Sequence, residues 1–338
     1  MSGIKEKPVH WSKQKEQAAG YWHLKFLLTL FQIFPVIILR ILAFPVGFFY
    51  FLFSKRGRNE SKRFLHKAAP LIGNPKTAKK CLSRIGPLRH IISFSLALVE
   101  KLQSWGNKYS FNGIHFQNDT GELIKSLENN EGVFLIGSHL GNMELLRALA
   151  NNNLTGVSRN VPVTAIYDIK VNKHFSRMIK ELNPESVMDL IGTNEIGPQT
   201  AVLLEEKLAS GGLISMSGDR TSANSFGKNI IIPFLGEDAP FPSGPFYLAV
   251  LLNAPVYFIF ALRRGDLSLK PEYDMHVHKI NLSEGAALNK SEGHSRSRKE
   301  RASQSYELAK SFAALLESYC KKSPFQWYNF YDFWSEGV

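Results

Sequence analysis

The sequence predicts an α/β fold, with a mainly parallel central sheet flanked by helices and a separate apolar helical segment at the N-terminus. Three observations carry that prediction. Residues 133–136 form a short continuous apolar run, the pattern of a strand buried on both faces. Gly137 and Ser138 end the run, and Met143, Leu145, Leu146, Leu149 and Ala150 then recur at helical spacing. From 161 to 217 short apolar runs alternate with helical patterns, as parallel sheets require. The chain has 338 residues, 44% of them hydrophobic, enough for one large α/β domain and an attachment segment.

Taken in order, residues 1–23 are polar and basic, with Trp11, Tyr21 and Trp22 interleaved, a composition that suits a membrane interface. Residues 24–53 are dense in Leu, Ile and Phe, but Arg40 interrupts them and Pro35 and Pro45 are expected to break them. The uncharged runs 26–39 and 41–53 each fall short of the roughly 20 residues that span a bilayer. The expectation is a membrane-associated pair of kinked helices lying in one leaflet, with Arg40 snorkelling to the interface. Lys55, Arg56, Arg58, Lys62 and Arg63 follow at once and place this end on the cytoplasmic face by the positive-inside rule. The expected division is 1–60 for the membrane-associated segment and 61–338 for the main domain.

Residues 60–110 read as helices, 113–116 as a strand and 121–127 as a helix. After the central strand come a strand at 161–167, a helix at 174–182, a strand at 187–191, a helix at 196–208 and a strand at 213–217. Residues 241–246 introduce a helix over 247–252, and a strong strand over 255–262 delivers Arg263 and Arg264 to its carboxyl end. Residues 275–278 alternate, 283–301 are polar, and 306–319 form an amphipathic helix. The aromatic run 325–334 either covers the core or anchors the chain at an interface.

The chemistry concentrates after the central strand. His139 lies in the turn and Glu144 in the first turn of the following helix, at the strand's carboxyl end, where open α/β sheets bind ligands. A neutral imidazole can take a proton from an attacking hydroxyl, and a carboxylate can hold its other nitrogen and raise its pKa. Gly141 between them would let backbone and substrate approach closely. Asp219 and Arg220 stand at the end of the 213–217 strand, where Arg could grip a phosphate or carboxylate. Ser243 or Gly244 could cap the 247–252 helix, whose first N–H groups suit an anion.

The block from Gly137 to Glu144 resembles the H-x4-(D/E) motif of the lysophospholipid acyltransferase superfamily, nearest the lipid A late acyltransferase branch, where the acid is Glu. The resemblance continues through 217–221, 241–246, 254–256 with Arg263 and Arg264, and the aromatic terminus, in order over nearly the whole chain. It implies a membrane-associated acyltransferase that moves a fatty acyl group from an acyl-carrier protein or coenzyme A thioester to a hydroxyl or amine of a lipid acceptor. His139 and Glu144 would be its catalytic dyad. Gly141, Asn142, Asp219, Arg220, Ser243, Gly244 and Arg263 or Arg264 would contact substrates.

The net charge of +12 favours an anionic partner: membrane lipid or an acidic carrier protein. The basic residues are too dispersed for nucleic acid, and no recognition motif for it is present. Cys81 and Cys320 have no metal-like spacing, and His276 and His278, alone on one strand face, read as solvated. No bound cofactor or metal is expected. The location expected is the cytoplasmic face of a bacterial inner membrane. The competing reading is a non-catalytic membrane-binding scaffold, which explains the net charge and residues 24–63 but gives a His139–Glu144 pair beside the Asp219–Arg220 strand end no purpose.

Overall fold

A computed structural model describes residues 29–31, 33–105, 113–145, 156–167, 189–221, 229–281 and 297–334. The expected segment at 1–23, the helix over 174–182, the helix after Glu144 beyond residue 145, and most of 221–228 and 283–301 lie outside these residues.

Seven strands form one sheet: β1 (Ile114–Asn118), β2 (Val133–Gly137), β3 (Val163–Tyr167), β4 (Asp189–Gly192), β5 (Leu213–Ser217), β8 (Val256–Arg263) and β9 (Tyr273–Ile280). Their order is β1-β9-β8-β2-β5-β3-β4, parallel throughout except where β9 runs antiparallel to β8. A separate hairpin joins β6 (Ile230–Phe234) to β7 (Glu237–Phe241). The continuous apolar runs of β2 and β8 are explained by burial on both faces. Phe134, Ile136, Ile214, Phe258 and Phe260 fill one layer, and Val133, Leu135, Leu213, Tyr257 and Ile259 fill the other.

The first layer is closed by α7 (Gly244–Leu252) and α8 (Arg298–Lys322). Phe312 of α8 is the hub, with its ring 5.2 Å from Phe258 and 5.5 Å from Phe246. Ser297 and Glu300 cap α8 reciprocally. Helices α5 (Thr120–Glu128) and α6 (Pro198–Ala209) complete the flanks.

The N-terminal helices are α1 (Val36–Phe53), α2 (Lys55–Ala68), α3 (Pro75–Leu82) and α4 (Gly86–Trp105). Two expectations are corrected here. Pro45 does not break the apolar segment: α1 runs through it as one helix of 18 residues, about 27 Å long at 1.5 Å per residue. Pro35 marks its start, and the missing N–H of Pro45 costs a single rung. Arg40 does not snorkel outward, because it donates to Gln103 Oε1 on α4 at 2.7 Å and to the Leu269 carbonyl at 3.2 Å.

Only Leu39, Ala43 and Gly47 of α1 are buried, one stripe at i, i+4 and i+8 laid along α4. A Cβ at Gly47 would come within 2.9 Å of Ser95 Oγ, so the small residue sets how closely the helices approach. Arg40 aside, the rest of α1 is apolar and half-buried or exposed, with Ile41, Val46, Phe49 and Phe53 among the exposed side chains. The expected boundary at residue 60 falls inside α2, whose Phe64, Leu65 and Ala68 belong to the main core.

Candidate active site

β2 and β5 are neighbours with Gly137 opposite Ser217, so the turns after them meet at the sheet's carboxyl edge. That edge brings His139 and Asp219 together. His139 Nδ1 lies 2.7 Å from Asp219 Oδ1. The carboxylate is completely buried and receives three further hydrogen bonds: the His139 backbone N–H at 2.8 Å, Ser217 Oγ at 2.8 Å and the Trp327 indole N–H at 2.9 Å. Four donors match the roughly four lone-pair sites of a carboxylate. Burial alone would raise the Asp219 pKa, but the His139 charge and these hydrogen bonds bring it down to about 2. An ionised acceptor on Nδ1 makes that nitrogen the donor and leaves Nε2 with its lone pair. The His139 side chain keeps 27% of its surface exposed while Asp219 has none. The ring is therefore partly reachable and its support is sealed.

The carboxylate on the ring is Asp219, 80 residues downstream, in the place expected for Glu144. Glu144 is half-buried in the turn that begins the next helix. The reason is geometric: the Asp219 turn lies on the neighbouring strand and meets His139 through backbone and ring together. The expected rise in the His139 pKa is also corrected. Burial and the nearby Arg220 charge outweigh Asp219 and hold it below the ordinary histidine value.

The turn itself is built on Gly141. Its φ is +73°, and a Cβ there would lie 1.8 Å from the Ala261 carbonyl oxygen, so only glycine fits. Its N–H bonds the Gln326 carbonyl and the next N–H, of Asn142, bonds the Ala261 carbonyl. Asn142 is fully buried, yet its side-chain amide has no hydrogen-bond partner among the described residues. An unmet buried amide of this kind costs about 1–3 kcal/mol, which a polar ligand atom or water would recover.

Arg220 is placed where expected, half-buried beside the dyad, donating to Asn329 Oδ1 at 2.9 Å and the Tyr328 carbonyl at 3.0 Å. Its guanidinium lies over the Tyr331 ring. Ser243 and Gly244 start α7, and the nearest atom to a Cβ at Gly244 would be the Met216 methyl at 4.0 Å, just before Ser217. Arg263 is not brought to the site. Its side chain is 1% exposed, paired with Glu100 at 2.8 Å and bonded to the carbonyls of Gly265, Asp266 and Ser268. The strand's last residue turns toward α4, where a buried carboxylate and three bare carbonyls satisfy it. Arg264 is exposed and bound to Asp274 at 2.6 Å.

Sequence reasoning missed the C-terminal strap. Trp327 supplies a donor to Asp219, Tyr328 N–H bonds the His139 carbonyl at 3.1 Å, and Asn329 and Gln326 hold Arg220 and Gly141. The aromatic run therefore covers the core, with Trp327 fully buried against Phe64 and Phe234. Its signal was the pair of polar residues, Gln326 and Asn329, embedded among aromatics. His276 and His278 are half-buried rather than solvated, bonded to Asn118 and to the Tyr319 hydroxyl.

The family of bacterial lipid A biosynthesis acyltransferases matches residues 6–335, which takes in every element of this site. The chain belongs to that family. Comparison with individually curated proteins gives no match. As a lipid A biosynthesis acyltransferase family member it is an acyltransferase acting on lipid, and a partly exposed histidine with a buried ionised partner on Nδ1 is suited to acyl transfer.

Proposed function

We propose that this acyltransferase moves a fatty acyl group from the thioester of acyl-carrier protein or coenzyme A to a hydroxyl or amine of a lipid acceptor. The observation that supports it most is Asp219 fixing Nδ1 of a His139 ring that is partly exposed. His139 Nε2 takes the proton from the acceptor as its oxygen or nitrogen attacks the thioester carbonyl. Asp219 stabilises the imidazolium that forms. The tetrahedral species collapses, the carbon–sulfur bond breaks, and the imidazolium returns its proton to the departing thiolate. Arg220, beside the ring, is suited to a donor or acceptor phosphate. Asn142 offers the buried amide to the reacting acyl or acceptor group, and the α7 start at Ser243 and Gly244 lies next to the end of β5.

Attachment to the cytoplasmic face of a bacterial inner membrane fits the apolar exposed side of α1. Because α1 is laid along α4, its outer face is what lipid would meet, which favours insertion into one leaflet over a crossing. The test is to incubate the purified chain with labelled acyl-carrier protein or acyl-coenzyme A and extracted bacterial lipid, with His139→Ala in parallel. Label should enter lipid with the wild type only. No transfer from either donor, or equal transfer by a folded His139→Ala protein, would reject the reading.

A further inference from the structure

Outside the site just described, α2 carries a feature that acyl transfer does not use. Its inward face, with Phe64, Leu65 and Ala68, is buried, and Phe64 meets Trp327 at 4.8 Å. Its outward face borders an open cleft of about 740 Å³ against the β6–β7 turn. Lys62, Arg63, His66 and Lys67 line it from one side at helical spacing, and Glu237 is the sole carboxylate in its described lining. Lys67 pairs with Glu237 and Arg63 with Asp332, whereas Lys62 and His66 are exposed and bond no side chain among the described residues. The floor is apolar, with Leu71 and Leu235. None of these residues is shared with the His139–Asp219 centre, from which Trp327 and the body of α2 separate them.

We infer that this cleft binds the phosphate headgroup of an anionic membrane lipid, as a docking site distinct from the catalytic centre. Three features choose the occupant. Three permanent cations, Lys62, Arg63 and Lys67, stand against two carboxylates, Glu237 and Asp332, so Lys62 with His66 beside it is left to meet an anion. The apolar floor beneath them selects an amphiphile over a free ion. The cationic face starts at Lys55 and Arg56, directly after the exposed apolar face of α1, and Arg58 donates to the Phe51 and Leu52 carbonyls at the end of α1. The cleft is thus continuous with the surface proposed to enter lipid. Its volume is that of a small-ligand site. The inference rests on the membrane reading of α1 for its setting, but its binding chemistry can be read in solution.

The experiment titrates the full chain, in neutral detergent, with dihexanoyl phosphatidate, dihexanoyl phosphatidylcholine and inorganic phosphate. Phosphatidate should bind at least tenfold tighter than either control. Lys62→Gln with His66→Gln should weaken it about tenfold, the scale of one or two charge-assisted hydrogen bonds. The same variant should keep wild-type acyl transfer in detergent and wild-type binding to neutral phosphatidylcholine vesicles, which reads α1 alone. Equal affinity for the two lipids, or no loss in the variant, would overturn the proposal. Phosphate binding as tightly as phosphatidate would make this a soluble-anion site, and displacement of phosphatidate by acyl-carrier protein would make it a protein site; either result overturns it too. Failure of the wild type to bind neutral vesicles would reject the membrane reading of α1 and leave the cleft titration intact.

Discussion

Two carboxylates in this molecule are equally sealed from solvent, and their surroundings give them opposite work. Asp219 and Glu100 are both 0% exposed. Asp219 is met by an imidazole, a hydroxyl, an indole N–H and a backbone N–H, and it stays ionised with a pKa of about 2. Glu100 is met by Arg263 and the Tyr273 hydroxyl, and burial still pushes its pKa up. The difference is what each partner can give away. His139 keeps a second nitrogen on a partly exposed ring, so the charge on Asp219 can support a proton transfer there. Arg263 has its guanidinium tied to Glu100 and three carbonyls, so its charge only joins α4 to the end of β8.

Substitutions should separate the two regions. The largest effect is expected at the first: His139→Ala should lower turnover about 10²–10⁴-fold, the range of a lost general base. Its melting temperature should stay near that of the wild type. The second region should respond the other way round. Arg263→Met strands a buried carboxylate and should cost about 3–5 kcal/mol of stability in denaturant unfolding. The fraction that remains folded should turn over at close to the wild-type rate. A large turnover loss at full stability would return Arg263 to the list of substrate contacts.

A smaller effect is expected at the strap. Trp327→Phe keeps most of the ring and removes one hydrogen bond to a charged acceptor, so turnover should fall about tenfold. Its acid limb should not vanish, since His139 and Asp219 remain paired. The smallest effect is a shift without a loss of plateau. With the neutral ring as the proposed base, activity should rise with pH through the His139 pKa, and the limb should lie below the ordinary histidine range. Arg220 is one cause of that depression, and Arg220→Gln should move the limb to higher pH in kcat/KM profiles. A limb that stays in place would remove Arg220 from the electrostatics of the dyad.

The sequence showed most where the interactions are local. The run over 133–136, the Gly137–Ser138 stop and the turn holding His139 are consecutive, and β2 lies where expected. The strands at 213–217 and 256–263 were legible for the same reason, as continuous runs of a sheet buried on both faces. The partner of His139 was not, because spacing along the chain favoured Glu144, five residues away, whereas strand pairing brings Asp219 across. Asp219 and Arg220 were recognisable as candidates for the neighbourhood of His139, but how each is held depends on Trp327 and Asn329, more than a hundred residues further on. Arg263 and Arg264 look alike at a strand end; only the direction of the final residue decides that one is sealed under α4 and the other pairs with Asp274 at the surface. Pro45 was overweighted, since one missing rung in an 18-residue helix is tolerated where packing along Leu39, Ala43 and Gly47 holds both halves.

The central claim is that Asp219, through His139 Nδ1, sustains the base. The most direct measurement is the single-turnover rate of acyl transfer for Asp219→Asn and Glu144→Gln side by side, each alone and combined with His139→Ala. Asp219→Asn should lose about 10³–10⁴-fold, because an amide can hold the ring in the wrong tautomer and cannot stabilise the imidazolium. Added to His139→Ala it should cost almost nothing more, since both act through one proton transfer. Glu144→Gln should lose less than about tenfold, the scale of a single hydrogen bond. A folded Asp219→Asn enzyme near the wild-type rate, with the full loss at Glu144→Gln instead, would contradict the account and restore the five-residue pair as the catalytic one.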